Sequence, residues 1–166
     1  MAIFDTYGEL SDAQALSVIG SNSSAASTDI IDLTQYDKSF GVAQGNLFLN
    51  ITCNITADSS TDVATLTIKV CRDTVAPIDG SSTVVYQTGA LTVGSDQLTA
   101  YDGKTKGQIL CMPLPDNIDA TESTDAVIGL YLTTAGGEAF TAGAIDAWIG
   151  PPMQSRYDTQ VATSNV

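Results

Sequence analysis

From Asn46 to Thr56 apolar and polar side chains alternate almost without a break. Leu47, Leu49, Ile51, Cys53 and Ile55 fall on one side, and Asn46, Asn50, Thr52, Asn54 and Thr56 on the other, with Phe48 the one large exception. Successive side chains of a strand point to opposite faces, so a two-residue period predicts a long strand with one face in a core and one exposed. Turn chemistry follows in Ala57-Asp58-Ser59-Ser60-Thr61-Asp62, and then Ala64, Leu66, Ile68 and Val70 alternate with Thr65, Thr67, Lys69 and Cys71. Two such runs joined by a short turn predict a long antiparallel hairpin.

Shorter runs repeat the pattern. Ser82–Gln87 and Ala90–Val93 read as strands on either side of Gly89, a candidate bulge. Gly107–Met112 is closed by Pro113 and Pro115, and Asp125–Thr134 turns Ala126, Ile128, Leu130 and Leu132 to one face before Gly136-Gly137. In Ala142–Ile149, Ile145, Ala147 and Ile149 oppose Ala144, Asp146 and Trp148, and Pro151-Pro152 stops the run. Asp29–Leu33 adds a short strand. The one helical candidate is a turn or two at Ser11–Leu16, with Ser11 as cap and Gln14 closing a capping box. Ser21–Thr28, made of small polar residues, predicts a flexible surface loop.

About eight short strands separated by Gly, Asn, Asp, Ser and Pro predict an all-β domain. An antiparallel jelly roll or β-sandwich comes first and an up-and-down barrel second. Residues 13–152 make that domain, flanked by an N-terminal arm over 1–12 and a C-terminal tail over 153–166. Both ends carry isolated aromatics, Phe4, Tyr7 and Tyr157, which suit either arms that dock on a neighbour or frayed ends.

Composition narrows the function. The 166 residues hold six Lys and Arg against nineteen Asp and Glu, sixteen of them Asp, and no His, for a net charge of −13. Without His there is no Ser-His-Asp or Cys-His catalysis, no His-ligated zinc and no imidazole switch. Six scattered cations do not neutralise a phosphate backbone or hold an anionic bilayer, so neither nucleic acid nor membrane is expected as a partner. Cys53, Cys71 and Cys111 are odd in number and lie in apolar or alternating runs, which predicts buried free thiols rather than a disulfide framework. The opening Met1-Ala2-Ile3-Phe4-Asp5 has neither the basic nor the apolar region of a signal peptide, so the expected origin is cytosolic.

Candidate chemistry is sparse. Asp116, Asp119, Glu122 and Asp125 cluster, but their spacing of three and the lack of a central Gly fail the calcium-loop pattern, which leaves a solvated loop. No phosphate-binding glycine motif occurs. Lys104-Thr105-Lys106 sits in a turn, either as a solvated tip or as a contact with an acidic patch of a partner, and Trp148 is either core or an interface anchor. No cofactor, metal or enzymatic activity is expected. A small hydrolase on a β-sandwich is disfavoured by the missing nucleophile signature. A carbohydrate- or receptor-binding module is disfavoured because Tyr86, Tyr101, Tyr131 and Trp148 are dispersed, although Tyr36 and Phe40 are close.

The N-terminal region also carries a resemblance. Met1-Ala2-Ile3-Phe4-Asp5, then Leu10-Ser11-Asp12-Ala13-Gln14-Ala15-Leu16, the small-residue run Ser24–Thr28 and Asp29-Ile30-Ile31-Asp32-Leu33 resemble the capsid cement (decoration) proteins of tailed bacteriophages, the kind described from a Bordetella podophage. The similarity is specific over the first 35 residues, and length, acidity and the ending near Ala144–Ala147 are also similar. The resemblance implies a jelly-roll virion protein, made in the host bacterial cytoplasm, that sits outside the capsid, bridges major capsid protein subunits and forms a homo-oligomer, a dimer rather than a trimer. It brings no catalytic residues. Phe4, Tyr7, Lys104, Lys106, Trp148, Arg156 and Tyr157 are the candidate capsid or oligomer contacts.

Overall fold

The structure, a computed structural model, describes residues 9–32, 48–103, 106–113 and 127–150. These form ten strands: β1 (Glu9–Ala15), β2 (Ser24–Ala26), β3 (Ile31–Asp32), β4 (Phe48–Ser59), β5 (Thr65–Asp73), β6 (Thr83–Gln87), β7 (Leu91–Thr92), β8 (Gln108–Pro113), β9 (Val127–Ala135) and β10 (Phe140–Gly150). Single 3-10 turns at Leu16–Val18 and Asp96–Leu98 are the helical elements among the described residues.

Every pairing among the described residues is antiparallel. One sheet has the order β1-β10-β4-β8; the second has β2-β9-β5-β6, with β3 also on β9 and β7 also on β5. Counting β2 with β3 and β6 with β7 as interrupted edge strands gives eight strands, in the orders 1-8-3-6 and 2-7-4-5. That is a jelly roll: strand pairs 1:8, 2:7, 3:6 and 4:5 form one long hairpin, which folds over so that 8 meets 3 and 7 meets 4. The expected β-sandwich is what the chain forms.

The topology corrects the predicted hairpin. β4 and β5 both alternate, yet β4 lies in the first sheet and β5 in the second. Each has an apolar face, and those faces bury more surface packed across the sandwich than they would side by side in one sheet. Leu49 and Ile51 of β4 meet Leu66, Ile68 and Val70 of β5 in one core, with Leu130 and Leu132 of β9 and Ile145, Ala147 and Ile149 of β10.

Two further details of β4 differ from simple alternation. The inward face holds through Cys53 and fails at Ile55, which is 54% exposed. Between them the register slips, Ile145 facing Cys53 and Ala144 facing Ile55, so Asn54 is an extra residue and the side-chain phase flips. On the outer face Asn50 and Thr52 are buried rather than solvated. β4 is a central strand, and Trp148 and Asp146 of β10 on one side and Cys111 of β8 on the other flank these short side chains.

The N-terminal helix expectation is also corrected. Ser11 and Gln14 do meet, Ser11 Oγ to Gln14 Oε1 at 3.1 Å, but inside β1, a strand with register shifts on both sides of Ser11 and a positive φ of 46° at Ala13. Pairing with β10 supplies backbone partners that a one-turn helix lacks. The expected flexible loop over Ser21–Thr28 contains β2, held on β9 by Ser24↔Thr133, Ala25↔Leu132 and Ala26↔Tyr131. Gly89 marks a break between β6 and β7 rather than a bulge. There Thr88 bridges to β5, its N–H donating to the Ile68 carbonyl and its Oγ1 accepting from the Ile68 N–H.

Candidate contact surfaces

Register fixes which loops share an end of the sandwich. Glu9 pairs with Trp148, and Phe48 pairs with both Gly150 and Pro113, so the described chain enters at Glu9 and leaves at Gly150 at one end. At the other end lie three loops, Leu16–Ser23, Ser60–Ala64 and Gly136–Ala139, and the start of a fourth at Val93–Leu98.

Side chains and backbone tie these four loops to one another. The Thr61 N–H and Oγ1 both donate to Glu138 Oε2, at 2.9 and 3.1 Å, and these bonds hold the Glu138 carboxyl below its ordinary pKa. The Gly137 N–H donates to Asn22 Oδ1 at 3.1 Å, and the Val93 N–H donates to the Ala64 carbonyl at 3.4 Å. The Thr134 hydroxyl donates to the Gly20 carbonyl and accepts from the Ser23 N–H. Gly136 has φ 97°, and a Cβ there would collide with the Val63 carbonyl oxygen, so only glycine fits. Out of this braced end project Val18, 75% exposed, and Val63, 49% exposed. In the same loops Asp62 and Asp96 are exposed and Glu138 is partly exposed.

The outer face of the first sheet presents a second acidic corner. The Ala13 N–H donates to Asp146 Oδ1 at 2.6 Å, and Asn54 Nδ2 reaches the same oxygen at 3.5 Å. Burial, then the neighbouring charges of Asp12, Asp29 and Asp146, raise the Glu9 pKa above its ordinary 4.5. Among the described residues no group of three or more potential ligands is arranged to hold a metal ion.

Trp148 lies on this outer face. Its indole packs beside Gly150, whose Cβ, if present, would sit 3.4 Å from Trp148 Cδ1. It is not in the sandwich core, since Ile145, Ala147 and Ile149 hold the inward positions of β10. Lys106 is exposed where the chain enters β8, its N–H donating to Asp102 Oδ1 and its carbonyl accepting from the Asp102 N–H. The Cys53 N–H donates to the Gly107 carbonyl, so Lys106 and Trp148 stand several positions apart along β4 and on opposite sides of it. Phe4, Tyr7, Lys104, Arg156, Tyr157 and the acidic run around Asp116 lie outside the described residues.

On the outer face of the second sheet, the loop between β5 and β6 folds back to place Ile78 over Cys71 and Val127 as a satellite cluster. Lys69 Nζ stands 5.9 Å from the Tyr131 ring centroid, a cation–π distance. Tyr86 packs on the main core, Tyr131 on the satellite cluster, Trp148 on the other sheet, and Tyr101 is partly exposed beside β4. Among the described residues, then, the aromatics share no common platform. Sequence reading missed Val18, Ile55, Val63 and Tyr101 as exposed apolar positions, because a bulge and the loop packing set their exposure. The glycines of Gly136-Gly137 were legible only as a turn.

No protein-family model matches this chain, and no curated protein matches it.

Proposed function

We propose that this protein is a structural component of a tailed-phage head, bound to the outside of the capsid, where it bridges and stabilises major capsid protein subunits as a homo-oligomer. The observation that carries the reading is the jelly-roll strand order, the fold implied by the resemblance of the first 35 residues to cement proteins. Fold alone assigns no function. The surface adds support of its own: the net charge is −13, and acidic corners lie on the first sheet and on the four-loop end. Such a surface suits adhesion to a basic protein lattice through many modest contacts repeated over a shell. Phe4, Tyr7, Arg156 and Tyr157, from the segments that extend beyond Glu9 and Gly150, are the proposed arm contacts, with Lys104, Lys106 and Trp148 as further contacts.

The test is reconstitution. Shells assembled from a tailed-phage major capsid protein sought in the genome that encodes this chain are mixed with the purified protein, pelleted and imaged by electron microscopy. The expected result is co-sedimentation to saturation with jelly-roll density on the outer surface. Protein left in the supernatant at micromolar concentrations overturns the reading. Removal of residues 1–8 is expected to weaken pelleting, and undiminished pelleting would dismiss the N-terminal arm.

A further inference from the structure

We propose that the outer face of the first sheet is the surface that docks on a neighbouring shell subunit, seating an apolar segment of that subunit whose Lys or Arg lies against Glu9 and Asp146. This rests on the reading of the protein as a head component and adds which face docks and how the partner is oriented on it.

Register sets the side chains of this face in rows. Phe48 of β4 is flanked by Gly150 of β10 and Pro113 of β8. In the next row Asn50 is flanked by Trp148 and Cys111, and Glu9 of β1 lies beyond Trp148. A third row holds Asp146 beside Thr52. Neighbours in a row stand about 5 Å apart, and successive rows about 7 Å. Phe48, Trp148 and Cys111 are partly exposed and Pro113 is exposed, and none of the four belongs to either core cluster. Asn50 and Thr52, short and buried, lie among them, so the four make one apolar strip across three strands.

Charge borders this strip on one side. Glu9 and Asp146 are the charged groups of these rows, and both stand on the β1–β10 side. Two more carboxylates adjoin them: the Ala13 N–H, next to Asp12, donates to Asp146 Oδ1, and the Asp29 N–H donates to the Leu10 carbonyl, next to Glu9. Burial, then the charges of Asp12, Asp29 and Asp146, raise the Glu9 pKa, and no described cation acts against them there. Lys69 and Arg72 belong to β5 of the second sheet, and Lys106 stands several positions along β4 from Trp148. A partner's Lys or Arg at this border meets carboxylates beside an indole face, while its apolar neighbours cover the strip. A second copy laid face to face brings no described cation to these acids, so the occupant is a partner of opposite charge.

The experiment measures pelleting of the full-length protein with shells that lack it, for the unmodified chain, for Glu9→Lys and for Trp148→Ala. Each variant is expected to bind roughly tenfold more weakly or worse. Glu9→Lys should do so without a lower melting temperature, and binding of the unmodified chain should weaken as salt is raised. Cys111, the partly buried one of the three free thiols, gives a readout on the unmodified protein that is independent of variant folding. Its alkylation by iodoacetamide, followed by mass spectrometry, is expected to slow roughly tenfold on saturated shells, because the thiol lies within the covered strip. Normal binding by either variant, or Cys111 alkylation as fast on saturated shells as in the free chain, overturns this surface and leaves the head assignment standing. Failure of the unmodified protein to pellet overturns both.

Discussion

Gly129 lies at the middle of β9 opposite Cys71, and its reason for being glycine is steric. Its backbone is not left-handed, so alanine is conformationally permitted. Yet a Cβ there would lie 2.8 Å from Ile78 Cγ1, 3.1 Å from Ile30 Cγ2 and 3.2 Å from Ser27 Oγ. Overpacking of this kind costs about 1–3 kcal/mol, offset by about 0.5–1 kcal/mol because alanine is the better strand residue. Gly129→Ala is therefore expected to lose roughly 1–2 kcal/mol, which for a chain of this length lowers Tm by about 2–8 °C. Ile78, 2% exposed, is the nearest obstacle. Ile78→Ala alone is expected to cost about 2 kcal/mol, the low end for a buried isoleucine because few groups line the site. In that background the new methyl enters vacated space, so Gly129→Ala becomes neutral or slightly stabilising. The assay is a double-mutant cycle by urea unfolding, followed by Trp148 fluorescence and circular dichroism. A coupling of about 1 kcal/mol or more is expected, and additivity within about 0.5 kcal/mol would refute the steric argument.

Neighbouring glycines in one loop should separate in the same assay: Gly136→Ala adds a clash with the Val63 carbonyl to its left-handed backbone, whereas Gly137→Ala, with open space around it, costs only the backbone term, about 1–2 kcal/mol. Burial pushes the Cys53 thiol up to about 11, so with Ellman's reagent near pH 8 Cys53 is expected to react only on unfolding, and prompt native labelling of Cys53 would contradict its packing. A raised folded pKa means that ionised Glu9 opposes folding above that value and ceases to do so once protonated. Glu9→Gln is therefore expected to raise Tm at neutral pH, with the gain vanishing as pH falls below 4.5. Asp73 is held below its ordinary 3.8, first by the Ser82 hydroxyl, so its contribution is present above 3.8 and is lost as pH falls through the lower folded value. Ser82→Ala should remove part of it and move the acid-unfolding midpoint to higher pH.

The sequence by itself determined the class of the fold and most strand positions. A two-residue period is a local consequence of strand geometry, and it reads as clearly in Leu66-Thr67-Ile68-Lys69-Val70 as in the observed β5. It also determined that Cys53 and Cys71 are buried free thiols, because both fall in strand runs, whereas Cys111, expected to be buried with them, is only partly buried on the edge strand β8. Pairing was not legible. Alternation says that a strand has an apolar face but not which sheet that face closes upon, so β4 and β5 read as a hairpin when they face each other across the core. Bulges were equally hidden, since one extra residue at Asn54 turns Ile55 outward without altering local composition, and a second register shift before Asp58 returns Ala57 to the core, so Ile55 reads as core and lies outside. The candidate surface was the least legible of all. Val18 and Val63 are ordinary aliphatic residues in sequence; only the tertiary structure, by gathering four loops at one end and turning Leu16, Ile19 and Ala64 inward, decided that these two face solvent.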